Sequence, residues 1–94
     1  MAVRIIEIRK PGGAQNIHEA ISDYKWVNED DGKVGVSDRP TMVDWVENKS
    51  GYAYVKDASG TVRCYVNVSP AGTKFLQTYA DKRWTDNLLS LKEF

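Results

Sequence analysis

The chain has 94 residues, of which 41% are hydrophobic, and its 13 lysines and arginines balance its 13 aspartates and glutamates. This length provides one small core and leaves no room for a separate lid or cofactor domain. The zero net charge removes the broad positive field expected of a dedicated duplex-DNA-binding protein. The sequence therefore predicts a single domain over residues 1–94, with any site shared between strands and their loops.

Cys64 is the only cysteine, which excludes an intrachain disulfide and a zinc site built from several cysteines. A lone thiol is most simply explained by a reducing, cytoplasmic compartment. The opening MAVRIIEIRKPGG has too short an apolar run for a signal peptide or a membrane span. We therefore expect a soluble cytoplasmic protein that is neither secreted nor inserted in a membrane.

The chain is predicted to begin with a strand from Val3 to Arg9, because branched residues crowd this segment and the loop signal KPGGAQN follows it. Residues 17–27 are ambiguous, since their apolar residues fit a helical spacing. However, Tyr24 and Trp26 also share one strand face, and the acidic turn NEDDG before KVGV is typical of a hairpin. We favour the strand.

The clearest helix is predicted for SDRPTMVDWVENKSG. Ser37 or Asp38 can cap its first amides, and Pro40 suits the first turn. Its apolar stripe consists of Met42, Val43, Trp45 and Val46. Gly51 is expected to supply the left-handed residue that ends this helix.

Beyond the helix the apolar period changes to two. GYAYVKD and TVRCYVNV flank the turn DASG, and SPAG leads into a third strand, TKFLQTYA. Along the second strand, Cys64 and its valine neighbours face one way, whereas Arg63 and Tyr65 face the other. We predict an α+β domain with a small antiparallel sheet packed on one short helix. The sheet comprises a meander of three C-terminal strands plus the N-terminal strands, either open or partly closed into a barrel.

The tail carries apolar and polar residues that are open to two interpretations. We predict that Leu88, Leu89 and Leu91 fold back over the meander and cover an open sheet end. Thr85, Asp86 and Asn87 would then form a turn or a cap. The functional alternative is a polar pocket for a small metabolite or nucleotide, formed by Thr78, Asp81, Asp86 and Asn87.

SDRPTMVDWVEN, AYVKDASGTVRCYVNV and GTKFLQTYADKRWTDNLLSL together resemble a family of small bacterial and phage proteins called domain of unknown function thirty-eight ninety-two. The resemblance covers nearly the whole chain. Its most specific part is the tail, through Gly72, Phe75, Leu76, Thr78, Asp81, Asn87, Leu88 and Leu91. Lys92 stands where the family usually has a proline. The resemblance implies a stand-alone domain and implies no activity.

Residue patterns for catalysis and metal binding are incomplete. His18 is the only histidine, and Cys64 lies among valines, which favours a buried, inert thiol over a nucleophile. A metal at His18 would have to rely on carboxylates, and the run Glu29–Asp31 lacks the ligand pattern of a calcium loop. We predict no enzyme activity, no cofactor and no metal site.

We therefore predict a non-catalytic module that binds a protein partner, or a second copy of itself, through an exposed sheet face or an unpaired edge strand. Trp26 is a candidate anchor, because tryptophan is enriched among interface hot spots.

The alternative partner is single-stranded nucleic acid. Bases would stack on Tyr65 and Trp84 beside Arg63 and Lys74. Further tyrosines can share that sheet face, namely Tyr52, Tyr54 and Tyr79. The neutral overall charge favours a protein partner and leaves this alternative open.

Overall fold

The computed structural model describes residues 2–10, 18–57, 60–80, 82–85 and 87–94, with the backbone alone at residues 19, 57, 80, 87 and 90. The strands are β1 (Ala2–Arg9), β2 (Asp23–Asn28), β3 (Lys33–Asp38), β4 (Tyr52–Asp57), β5 (Gly60–Val68), β6 (Lys74–Ala80), β7 (Arg83–Thr85) and β8 (Lys92–Glu93). One α-helix, α1, spans Arg39–Asn48. Short 3-10 helices span His18–Ala20 and Asn87–Ser90.

All eight described strands join one open sheet in the order β3-β2-β1-β4-β5-β6-β7, and β8 also pairs with β1. β1 runs antiparallel to β2, but parallel to β4 over Ala2–Arg4 and parallel to β8 at Glu7 and Ile8. The α+β description fits this architecture. The predicted small antiparallel sheet is wrong, because the sheet is mixed and has eight strands. Of the two alternatives left for its closure, partial closure into a barrel is wrong as well, because the sheet is open with edges at β3 and β7.

The parallel pairing results from a crossover that the local sequence patterns do not reveal. β3 and β4 both run parallel to β1, and α1 connects them. Parallel strands require a connection of about a dozen residues or more, and a helix usually supplies it. The chain therefore leaves the sheet at the β3 edge and rejoins it on the far side of β1.

α1 begins as predicted and ends differently. The Asp38 side chain caps it by accepting a hydrogen bond from the Thr41 N–H at 2.9 Å. Hydrogen bonding to the Thr41 side chain, followed by the bond to its N–H, lowers the pKa of Asp38. At the other end, Ser50 has the positive φ of 55°. The prediction that Gly51 supplies the left-handed residue is wrong. Gly51 is needed for space, because a Cβ there would lie 2.2 Å from the Trp45 ring.

The core lies between α1 and one side of the sheet. We call that side the inner face and the opposite side the outer face. The core cluster of buried residues comprises Val3, Ile5, Ile8, Ile21, Tyr24, Met42, Val43, Ala53, Val55, Cys64, Leu76 and Leu88, and Phe75 is also buried. The Tyr24 hydroxyl accepts a long hydrogen bond from the Leu76 N–H at 3.4 Å, which links β2 to β6. Burial raises the pKa of this hydroxyl.

The ambiguous segment and the tail both follow the favoured interpretation. Within residues 17–27, β2 forms a hairpin with β3 after the short 3-10 helix. In the tail, Leu88 is fully buried and Leu89 and Leu91 pack against the core. β8 then returns to β1, and the Phe94 N–H donates to the Ile8 carbonyl at 3.0 Å. The tail therefore completes the core as well as the sheet.

Candidate binding face on the outer side of the sheet

Five side chains form a continuous row across β4, β5, β6 and β7 on the outer face. We call this set the aromatic row, and it consists of Tyr52, Arg63, Tyr65, Tyr79 and Trp84. Strand alternation explains it: Cys64 is buried on the inner face, so its neighbours Arg63 and Tyr65 point outward. Register brings in the rest, because Tyr79 pairs with Trp84.

The Arg63 guanidinium lies between two rings of the aromatic row. Its Cζ is 4.4 Å from the Tyr52 ring centroid and 5.0 Å from that of Tyr65. These distances allow cation–π attraction to both rings. Among the described residues, the buried Nε of Arg63 has no hydrogen-bond partner. Contacts with aromatic rings therefore hold this cation.

The remaining contacts of the aromatic row are edge-to-face. The ring centroids of Tyr65 and Tyr79 are 6.2 Å apart at 86°, and those of Tyr79 and Trp84 are 5.1 Å apart at 78°. The four rings keep 37–40% of their surface exposed. They therefore restrain one another while still offering their faces to a ligand.

One end of the aromatic row is charged. The Tyr54 hydroxyl donates to Glu29 Oε1 at 2.5 Å, and the Tyr54 ring centroid lies 5.9 Å from that of Tyr52. Lys56 and Arg4 reach the same carboxylate at 3.3 and 3.8 Å. The Tyr54 hydrogen bond, followed by Lys56, lowers the pKa of Glu29, and the pKa of Tyr54 rises to about 12 in return. Glu29 thus balances the cations at this end.

Comparison with known proteins places the chain in a family. The model of the family described as "Protein of unknown function (DUF3892)" matches residues 4–92. The chain belongs to this family. The matched residues include α1 and the whole aromatic row. No curated protein and no solved structure matches the chain.

In this DUF3892 domain, three of the four residues predicted to bind nucleic acid lie together and the fourth lies apart. Arg63, Tyr65 and Trp84 come together in the aromatic row. Lys74 does not join them, because its Nζ contacts Glu47 of α1 at 2.7 Å. Tyr52 and Tyr79, which the sequence predicted only as further tyrosines able to share this sheet face, complete the row. Their alternation along β4 and β6 marks them as candidates for a sheet face, but only the register between strands sets them beside Arg63 and Trp84.

The predicted polar pocket for a small ligand lies largely outside the described residues. Asp81, Asp86 and the Asn87 side chain are not among them. Thr78 is described and is fully buried. Its hydroxyl bonds the hydroxyl of Thr85 at 2.5 Å and donates to the Thr85 carbonyl at 3.2 Å. Thr78 therefore ties β6 to β7, and the pocket stays a prediction.

Trp26 lies on the inner face, away from the aromatic row. Its Nε1 donates to the Ser37 hydroxyl at 3.2 Å, and its ring lies close over Gly35, where a Cβ would be 2.3 Å away. Together with Trp45 and Met42 it lines a groove of about 210 Å³. Trp26 and the aromatic row therefore cannot anchor the same flat partner surface.

The lone cysteine and the lone histidine of this DUF3892 domain, Cys64 and His18, are both buried. Burial raises the pKa of the Cys64 thiol to about 12, and His18 stacks on Phe75 at 5.8 Å between ring centroids. Within the described ranges, no three His, Cys, Asp or Glu side chains are grouped to hold a metal ion. No helix in that part of the chain has the length and hydropathy to cross a bilayer.

Proposed function

We propose that this chain is a non-catalytic binding module that holds a protein partner on its outer face. The aromatic row carries this proposal. Tyrosine, tryptophan and arginine dominate the residues that contribute most to protein–protein affinity. The contacts between the rings restrain them before a partner arrives, which reduces the entropy lost on binding.

The charges around the aromatic row favour protein over nucleic acid. Single-stranded nucleic acid requires a track of cations along its phosphates. On the outer face, Arg4 and Lys56 share Glu29, and Lys25 contacts Glu7 at 3.3 Å. A phosphate backbone would have to compete with these carboxylates and would be repelled by them. A protein surface that carries charges of both signs and aromatic side chains would not be repelled by these carboxylates.

The proposal that the module is non-catalytic is supported by the burial of Cys64. A thiol nucleophile works as the thiolate, so it needs a lowered pKa and access to substrate. Cys64 has no exposed surface and a raised pKa, which suits a small core residue.

We also propose that the module acts in the cytoplasm of a bacterium or of a phage-infected bacterium. The family resemblance in the tail supports the origin, and the free thiol of Cys64 suits a reducing compartment.

The test is capture from a bacterial lysate on immobilised protein, with and without nuclease. Tyr65→Ser removes a central ring of the aromatic row. Val68→Ser is the matched control, because Val68 lies on the same strand and is 50% exposed. We expect wild type and Val68→Ser to retain the same nuclease-resistant protein and Tyr65→Ser to lose it. Equal retention by all three would overturn the proposal.

Single-stranded nucleic acid is the second candidate, and the position of Arg63 between two rings favours it. An arginine among exposed rings is a common base-stacking platform, and the exposed residues Lys82 and Arg83 precede Trp84. The test is fluorescence anisotropy with a labelled mixed-sequence oligonucleotide. Binding that falls steeply with salt and weakens in Arg63→Ala would support this candidate. No binding at low salt would remove it.

A further inference from the structure

β3 is an edge strand of the described sheet, and its exposed residues suit pairing with another strand. It pairs with β2 on one side only. Val34 and Val36 are each 52% exposed on the outer face, and Gly35 lies between them. Proteins usually protect long edge strands with prolines, bulges or inward-pointing charges. The centre of β3 has none of these features.

The hydrogen-bond pattern shows which backbone groups of β3 point away from β2. The Arg39 N–H donates to the Ser22 carbonyl at 2.9 Å, just beyond the Asp23–Asp38 pair. Bonded and non-bonded pairs alternate along an antiparallel ladder. It follows that Gly35 bonds to β2, whereas Val34 and Val36 direct their N–H and C=O groups toward the free edge.

Because of this alternation, two copies of β3 can form backbone hydrogen bonds with each other. In an antiparallel pair centred on Gly35, Val34 lies opposite the partner's Val36, and both positions have outward backbone groups. A two-fold axis perpendicular to the sheet relates the two strands and keeps the outer faces on the same side. The exposed valines of both copies then meet as cross-strand pairs on the outer face, which stabilises the pairing.

The same register matches opposite charges at both ends of the paired strands. Asp31, in the exposed β2–β3 turn, comes to the same end as the partner's Arg39, at the start of α1, and the symmetry repeats this match. Within each copy the Asp31 carboxylate accepts from the Lys33 N–H at 2.8 Å and the Arg39 guanidinium donates to the Ile21 carbonyl at 3.3 Å, so the two charges attract across the pair without forming a new ion pair. The zero net charge of the chain adds no long-range repulsion between copies. The cross-strand valine pairs therefore favour this register, and the charges at its ends do not oppose it.

We propose that the protein forms a homodimer by antiparallel pairing of β3 with β3 of a second copy, centred on Gly35. The dimer has one continuous sheet with both aromatic rows on the same side. If the proposed function holds, the dimer offers two binding faces to one partner assembly, and avidity then exceeds the affinity of either face. The dimer itself does not depend on that function.

Light scattering tests the dimer directly. We expect a mass of twice 10.6 kDa for the wild type and 10.6 kDa for Val36→Lys, because a lysine at position 36 removes both cross-strand valine pairs and places a charge on the edge strand. Val68→Lys, at an equally exposed valine on β5, should keep the dimer mass. A monomeric wild type, or a dimeric Val36→Lys, would overturn the proposal. Because Val36→Lys leaves the aromatic row intact, its capture of a partner separately tests the proposed function.

Disulfide trapping tests the register. Directly opposed residues in a hydrogen-bonded antiparallel pair have Cα atoms about 5.5 Å apart, within disulfide range. The double variant Val34→Cys/Val36→Cys should therefore form a covalent dimer on mild oxidation, whereas Val36→Cys alone should not. Cys64 is buried and stays out of the reaction. Efficient trapping of Val36→Cys alone would contradict pairing centred on Gly35.

Discussion

Arg63 is held by rings and by no ion pair among the described residues, so its contribution to stability can be tested by truncation. Each cation–π contact at a partly exposed site contributes about 0.5–1 kcal/mol. We expect Arg63→Ala to lower the free energy of unfolding by about 1–2 kcal/mol in urea titrations. Arg63→Lys should restore only part of the loss, because an ammonium lacks the planar surface that stacks on Tyr52 and Tyr65. Unchanged stability in Arg63→Ala would show that the ring contacts contribute little.

Glu29 makes the stability of the fold depend on pH, and the groups that contact its carboxylate set the direction of that dependence. Its pKa is lowered in the folded state, chiefly by the Tyr54 hydrogen bond. A carboxyl group of this kind stabilises the fold above its unfolded pKa, and the stabilisation is lost as the pH falls through the folded pKa. We expect Tyr54→Phe to raise the pKa of Glu29 toward its ordinary value, as measured by NMR titration of the carboxyl carbon. Glu29→Gln should flatten the acid side of the stability profile. A pKa that does not move in Tyr54→Phe would contradict this assignment.

At the scale of elements, two neighbouring residues at the end of α1 have different structural roles. Ser50 has the positive φ, whereas a Cβ added at Gly51 would lie 2.2 Å from the ring of Trp45. We expect Gly51→Ala to destabilise the fold by about 1–3 kcal/mol through overpacking. Ser50→Gly should be neutral or slightly stabilising, since glycine adopts positive φ without strain. Thermal unfolding of the two variants makes the comparison, and a harmless Gly51→Ala would show that Trp45 can move aside.

The sequence predicts well the elements that are determined by residues close together in the chain. Asp38 and Pro40 mark the start of α1, alternation around Cys64 gives β5 its two faces, and the ends of DASG, Asp57 and Gly60, pair where β4 meets β5. The sheet order depends instead on where the chain lands after α1, and no local signal selects β1 as the partner of β4. The parallel pairing of β4 with β1 makes the sheet mixed, whereas the prediction was an antiparallel sheet.

The candidate site also combines residues that local patterns predict with residues that only the sheet register brings together. Arg63, Tyr65 and Trp84 were recognisable from alternation and composition. Lys74 matched the same pattern, but it lies next to α1, and Glu47 binds it. Tyr52 and Tyr79 join the row through the register between strands, which depends on the whole sheet.

At the scale of the whole molecule, one face of the sheet is covered and the other is open. α1 and the 3-10 helix of the tail pack on the core side, where Met42 and Leu88 are buried. The outer face carries the aromatic row, and the β3 edge borders the same face with Val34 and Val36. We infer that the fold presents two surfaces separated by β1 and β2, an aromatic one for a foreign partner and an edge for a second copy.

The most direct measurement of the central proposal is a calorimetric titration of the captured protein partner into wild type, Tyr65→Ser and Val68→Ser, each at low and high salt. Loss of a hot-spot ring should weaken affinity by about tenfold or more. We expect that loss in Tyr65→Ser only, with little effect of salt. Equal affinities for Tyr65→Ser and wild type would contradict the assignment of the aromatic row as the binding face, and a steep salt dependence would show that exposed charge pairs, instead of the rings, supply most of the affinity.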